Sequence, residues 1–351
     1  MRVDLVTHRY PPDLGGIERH VAELARWLAG EGHEVTVHAT DWDGSYDRET
    51  HDGAIRVRRY PAAAPGEAYY VSPHIARAVY RSDADVIHAH GYHSFPLAFA
   101  ALGARSTPLV VTPHYAGRGS TRLRSLLHTL YAPIGGHALR SADAIIAVSE
   151  WERDLLAEDF GCEARVIPNG LDVERFAAAE PERRERPYLF SVGRLVEYKG
   201  VQHIIDALAE LPEYDLLVAG TGEYRETLEA RAAARGVADR VEFLGYVAEE
   251  RLPGLYAGAA AHVFLSEYEC YGLTVGESLA AGTPCVVRDA TALSEWTDFS
   301  GCVGTGSVDA RAVADAVREA VELPPQPDML TTWADMSEAV FGVYRDVLEG
   351  D

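Results

Sequence analysis

Short apolar runs of strand length alternate along nearly the whole chain with amphipathic stretches of helix length, and no other feature restricts the fold as much. A strand followed by a helix must cross back to its own sheet, so a long series of such pairs builds a mainly parallel sheet with helices on its faces. The expected fold class is therefore α/β. In the first half the strands fall near Val3–Thr7, Val35–Ala39, Ile55–Arg59, Val86–Ala89, Leu109–Thr112, Ala144–Val148 and Val166–Ile167. Ile17, Val21, Leu24, Ala25 and Leu28 mark one face of a helix at Ile17–Leu28. Between Phe176 and Pro187 the text turns polar and aperiodic, as a linker does. A second series follows, with strands at Leu189–Val192, Leu216–Ala219, Val241–Leu244, His262–Leu265 and Cys285–Val287, and it ends near Leu323-Pro324-Pro325 before a last amphipathic segment, Met329–Leu348. A chain of 351 residues is long enough for two separate cores. The division expected is 1–175, a linker at 176–187, a second domain at 188–325, and a terminal helix within 326–351.

Composition removes several classes of partner and place. A formal charge of −22 repels nucleic acid, which is itself a polyanion. Among the 32 basic residues only Lys199 is a lysine, a usage that resembles proteins adapted to a salt-rich cytoplasm, although an acidic protein from a GC-rich genome reads similarly. Cys162, Cys270, Cys285 and Cys302 lack paired metal-ligand spacing and are too few for a disulfide framework, so free thiols are expected. No apolar run is long enough to span a bilayer, and Met1 leads directly into a strand-like pattern, so the expected place is the cytoplasm or the cytoplasmic face of a membrane.

Chemistry concentrates in the second half. In Glu269-Cys270-Tyr271-Gly272-Leu273-Thr274-Val275-Gly276-Glu277 two glutamates flank a strand-to-helix turn that Gly272 allows. Glu269 then sits on the loop and Glu277 about a turn and a half into the helix, so both can face one crevice. The backbone N–H groups of Leu273 and Thr274 open that helix, where unpaired donors and the macrodipole favour a phosphate. Two glutamates at this spacing also occur on ordinary helix faces. Upstream, the strand Leu189–Val192 runs into Gly193-Arg194-Leu195-Val196-Glu197-Tyr198-Lys199-Gly200, where Arg194 and Lys199 can converge on one dianion or form a solvated pair. The retained lysine favours the first reading, since ammonium is a compact point charge and guanidinium a bulkier fork. Gly220-Thr221-Gly222-Glu223-Tyr224-Arg225 mimics a dinucleotide fingerprint, but Arg225 stands where the third glycine belongs, and a turn beside a nucleotide base suits it better.

Pro11-Pro12-Asp13-Leu14-Gly15-Gly16-Ile17-Glu18-Arg19-His20-Val21, Ile167-Pro168-Asn169-Gly170-Leu171-Asp172, Gly193-Arg194 with Lys199-Gly200, and Glu269 to Glu277 followed by Ala281-Gly282-Thr283-Pro284 occur in this order. Together they resemble the retaining glycosyltransferases of family 4 over nearly the whole chain. That resemblance implies the GT-B architecture, two Rossmann-like domains facing across a cleft, with the terminal helix packing back on the first. It also implies site roles. Arg194 and Lys199 match the pair that holds the diphosphate of a nucleotide-sugar donor, Glu269 the carboxylate at the sugar hydroxyls, Glu277 the one at the ribose. Gly15 and Gly16 match the loop whose bare backbone approaches the donor. His114, in Val110-Val111-Thr112-Pro113-His114, matches a histidine beside the transferred sugar; a surface histidine closing a strand is the alternative. Two departures stand out: Cys270-Tyr271 replaces the usual Gly-Phe, and 289–295 lacks the glycines that normally precede its acidic residue.

The activity so implied is glycosyl transfer from a nucleotide diphosphate sugar to a glycan or lipid-linked acceptor, with no essential metal and no other cofactor. Alternatives are a nucleotide-sugar 2-epimerase of the same fold, which needs no acceptor, and a non-catalytic sugar-nucleotide sensor or partner subunit. Finally, Val86–Ala142 contains no Asp or Glu, whereas the overall acid content predicts about nine there. Within it Arg118, Arg122 and Arg124 flank Leu123, Leu126, Leu127, Leu130 and Tyr131, so a peripheral contact with an anionic membrane through 118–131 is expected.

Overall fold

The computed structural model describes residues 1–64, 69–117 and 122–350, and for 122–128, 130 and 328 the backbone alone. Contacts divide the chain into two units. Unit 1 is Met1–Gly170 together with Trp333–Asp351, and unit 2 is Leu171–Thr332. The segment 176–187 lies inside unit 2 rather than between units, because its polar outer face conceals anchors. Phe176, in the helix Val173–Ala177, is buried against Tyr256, Glu182 N–H donates to the Gly254 carbonyl at 2.8 Å, and the Glu182 carboxylate takes both arms of Arg251.

Unit 1 carries an eight-stranded sheet in the order β3-β4-β2-β1-β5-β6-β7-β8, with β1 Arg2–Val6, β2 Glu34–Asp41, β3 Glu49–Asp52, β4 Ile55–Pro61, β5 Val86–His90, β6 Leu109–Thr112, β7 Ala144–Ala147 and β8 Arg165–Val166. Seven of these occupy the positions their apolar runs predict. The exception, β3, reads Glu-Thr-His-Asp and pairs antiparallel to β4 at the sheet edge, where one row of pairing suffices and no apolar signal is required. The helix Gly16–Gly30 buries Val21, Leu24, Ala25 and Leu28 on one face of the sheet. Met336, Val340, Val343 and Tyr344 of the terminal helix Trp333–Glu349 join the same cluster, so this helix belongs to unit 1. The opposite face is closed by residues such as Ile75, Leu97, Tyr115 and Leu139.

Unit 2 has β9 Tyr188–Val192, β10 Asp215–Ala219, β11 Val241–Gly245, β12 Ala261–Phe264, β13 Cys285–Arg288 and β14 Cys302–Thr305, all parallel, in the order β11-β10-β9-β12-β13-β14. This is the doubly wound Rossmann order, in which direction reverses between β9 and β12. In unit 1 the corresponding reversal falls between β1 and β5. Ligands of such sheets bind beyond the carboxyl ends of the strands at the reversal, because the loops there diverge to opposite faces and leave a crevice.

Of the segment 118–131, residues 118–121 and the side chains of 122–128 and 130 lie outside what the structure describes, and the backbone from Arg122 to Arg140 is helical. Tyr131, counted in its amphipathic pattern, is buried against Tyr92 and Phe95 and so belongs to the core. Among the described residues, no helix is long and apolar enough to cross a membrane.

Candidate active site

In unit 2 the loops after β9 and β12 meet at the reversal point. A Cβ on Gly200 would overlap the Leu265 carbonyl, so only glycine lets the two backbones approach, and Glu267 N–H donates to the Tyr198 carbonyl at 2.8 Å. This clamp brings the only lysine to the turn glutamate: Lys199 Nζ donates to Glu269 Oε1, with both side chains more than four-fifths buried. Arg194 lies exposed on the same loop and donates from Nη2 to the Tyr198 hydroxyl at 2.9 Å. Lys199 sits on a short 3₁₀ turn, Glu197–Lys199, and the helix Val201–Leu208 begins just after it.

Gly272 adopts a left-handed conformation, with φ 98°, and caps the helix Leu273–Ala280; a Cβ there would stand 2.8 Å from Leu293. The first N–H groups of that helix have no intrahelical partner. Beside them the Thr274 hydroxyl is buried with no protein partner among the described residues. One and a half turns on, Glu277 is buried and accepts from the Tyr256 hydroxyl at 3.1 Å. The 3₁₀ helix Thr291–Asp298 closes over this turn, with Trp296 Nε1 donating to the Tyr271 carbonyl at 2.6 Å. Thr291 reaches φ 55° without the family's glycine. Gly220 and Gly222 pack against the backbone of Gly193 and Leu195, so the Gly-Thr-Gly turn shapes the Arg194 loop.

Unit 1 brings histidines to its own reversal point. His114 follows β6 at φ 49°, His90 ends β5, and His20 projects from the helix Gly16–Gly30; all three are buried. His114 is thus not the surface histidine of the alternative reading. His20 Nδ1 lies 2.8 Å from Asn169 Oδ1, whereas His20 Nε2, both ring nitrogens of His90 and His114 Nε2 have no partner among the described residues. Each buried, unpaired polar atom costs about 1–3 kcal/mol, so folding alone does not favour this cluster. Burial pushes the His20 imidazole down to about 4 against the raising effect of Asn169. Burial, then the neighbouring histidines, push those of His90 and His114 well below the usual range.

Gly15 and Gly16 open the helix, but the first contact of Gly15 is internal, since a Cβ there would overlap the Glu18 carboxylate. Glu18 is buried and paired with Arg9 at 2.7 Å and His8 at 3.4 Å. Burial raises its carboxyl, but hydrogen bonding and charge from His8, then Arg9, outweigh that and hold it at about 2. Sequence reasoning quoted Glu18, His20 and Asn169 inside motifs without giving them tasks, and it overlooked His90. Imidazoles at alternate positions of an otherwise apolar buried strand, Val86-Ile87-His88-Ala89-His90, were the available signal. It also overlooked Glu152, whose oxygens accept from Tyr115 N–H at 2.5 Å and Val148 N–H at 2.7 Å, tying down the residue after His114. Burial pushes this carboxyl up to about 8 against the lowering effect of those two donors.

Two Rossmann-ordered sheets, with a cation, carboxylates and a helix N-terminus gathered at the reversal point of the second, define a nucleotide-sugar glycosyltransferase of the GT-B class. Residues 14–175 match the family described as Glycosyltransferase Family 4, and residues 172–335 match Glycosyl transferases group 1. The chain is 32% identical to a glycogen synthase of Mycobacterium tuberculosis over 92% of its own length and 87% of that protein. It is 30% identical to a GDP-mannose-dependent alpha-(1-6)-phosphatidylinositol monomannoside mannosyltransferase of Mycolicibacterium smegmatis, over 91% and 89% of the two chains. In fold it is similar to sucrose-phosphate synthase from Thermosynechococcus elongatus, with a TM-score of 0.83 and 20% identity across the whole of both chains. The chain belongs to glycosyltransferase family 4.

Proposed function

We propose that the protein transfers a glycosyl group from a nucleotide diphosphate sugar to a hydroxyl of a glycan or lipid-linked acceptor, with retention at the anomeric carbon. The Lys199–Glu269 pair beside the N-terminus of Leu273–Ala280, at the reversal point of unit 2, carries this reading. As the sugar leaves, charge develops on the diphosphate. Arg194, Lys199, and the Leu273 and Thr274 N–H groups are the donors that stabilise it, with no divalent ion required for transfer. Glu269 orients the sugar hydroxyls, Glu277 holds the ribose, Gly15 and Gly16 border the donor, and His114 stands beside the transferred sugar. An epimerase or a sensor would leave acceptor chemistry unused, whereas the relatives named above are transferases.

The acceptor class rests on those relatives, whose names specify a glycan and phosphatidylinositol monomannoside, and on the acid-free stretch Val86–Ala142, which suits an anionic membrane surface near 118–131. A salt-adapted enzyme is the reading that the acidic, arginine-rich composition supports. The decisive experiment screens nucleotide sugars for thermal protection and follows acceptor products by mass spectrometry. A donor at 100 times its Kd raises stability by ~2.7 kcal/mol. No protection by any nucleoside diphosphate sugar overturns the proposal. Release of a free epimerised donor without an acceptor product replaces it with epimerisation. Co-sedimentation with anionic vesicles that high salt abolishes supports the membrane contact, and its absence removes it.

A further inference from the structure

We propose that His20, His90 and His114 form a binding site for a divalent transition metal of the zinc class, and that filling it blocks sugar transfer. Their candidate ligand atoms all lie within 4.8 Å of one another. The ring centres are 5.3 Å apart for His20 and His90, 5.0 Å for His20 and His114, and 6.0 Å for His90 and His114. Three imidazoles converging tetrahedrally on one ion, with metal–nitrogen bonds of about 2.0–2.1 Å, place their ring centres roughly 5 Å apart. Small side-chain adjustments therefore suffice.

The protonation pattern fits as well. Asn169 Oδ1 accepts from His20 Nδ1–H, which leaves the His20 Nε2 lone pair free and aimed inward, the usual arrangement of a metal-binding histidine held from behind. His90 and His114 offer buried ring nitrogens in the same place that have no partner among the described residues. The neighbouring His88 takes no part, because its two nitrogens are engaged by the Tyr344 hydroxyl at 2.7 Å and the Thr112 hydroxyl at 2.8 Å. An all-imidazole set selects zinc, copper or nickel over magnesium and calcium, which require oxygen ligands. Three ligands leave a fourth position open to water or an anion.

Blocking rests on the proposed place of His114 beside the transferred sugar: a metal on His114 Nε2 removes that nitrogen from the sugar. The test uses untagged, chelator-treated full-length protein. Zinc is titrated by calorimetry and counted by elemental analysis, and cobalt(II) serves as a visible-absorption probe. Stoichiometric binding with a tetrahedral cobalt spectrum, lost in both His90→Gln and His20→Gln, is the expected result. Asn169→Ala should weaken zinc affinity about 10–100-fold while keeping the three ligands, so the site stays testable if a histidine variant fails to fold. Zinc should suppress turnover, and a chelator should restore it. Absence of stoichiometric binding, or binding unchanged by all three substitutions, overturns the site. Tight binding with undiminished turnover overturns the blocking and the placement of His114, and leaves the metal site standing.

Discussion

At the scale of single residues, the lysine kept in an arginine-rich chain is paired with the turn glutamate, and both partners remain partly accessible. Lys199→Ala should lower turnover by roughly 10²–10³ with little change in thermal stability, the scale of losing one stabiliser of transition-state charge. Steady-state kinetics on the folded variant check this; near-normal turnover removes Lys199 from the site. Lys199→Arg should recover only part of the loss, because a planar fork does not replace a point charge. The two glutamates separate by burial. Glu277→Ala leaves the buried Tyr256 hydroxyl without this acceptor, so it should lower both nucleotide affinity and stability, the latter by about 1–3 kcal/mol, whereas Glu269→Ala should depress turnover and spare affinity for the bare nucleotide. Calorimetry with a nucleoside diphosphate and thermal melts decide it, and equal loss of affinity in both variants refutes the division.

At the scale of elements, the helix Glu150–Phe160 illustrates how a local signal is redirected by tertiary packing. Ser149 caps it, its side chain accepting from Glu152 N–H at 3.0 Å, and Ser-x-x-Glu spells a capping box. The Glu152 side chain nevertheless reaches beyond the helix to Val148 and to Tyr115, next to His114. Because its folded-state value of about 8 stands above the ordinary 4.5, the protonated form favours the fold. The stability it lends is complete below 4.5 and declines as pH rises toward 8, above which no more is lost. Thermal melts should show the wild type losing stability relative to Glu152→Gln across that window, and a flat difference rejects the assignment. Glu152→Gln also keeps an oxygen for only one of the two donors, so any loosening of the His114 loop should appear in turnover.

At the scale of the whole molecule, a charge of −22 repels itself within the folded chain. The Debye length falls from about 10 Å at 0.1 M salt to about 3 Å at 1 M, so the melting temperature should rise as sodium chloride is raised over that range. The exposed ion pairs, such as Arg153 with Glu150 and Arg318 with Asp315, lose little by the same screening. A melting temperature that falls with salt would show that ion pairs outweigh repulsion and would end the salt-adapted reading.

What the sequence determined by itself is whatever repeats at short range. The 2- and 3.6-residue periods located the parallel strands of unit 1 and all but the last of unit 2, and motifs a few residues long placed Arg194, Lys199 and Glu269 on the segments after their strands and Glu277 on the helix that follows Gly272. It missed β3, whose edge position demands no apolar residue, and β14, a four-residue strand reading Cys-Val-Gly-Thr. Only the tertiary structure decided that 176–187 is clamped into unit 2, that Glu18 fills the space beside Gly15, and that His20, His90, His114 and Asn169 converge. Those contacts join residues up to 149 positions apart, and a hydrogen bond at such a distance leaves no periodic trace in the chain. The three imidazoles meet because the strand order places β1 beside β5 and β5 beside β6, which no local propensity encodes.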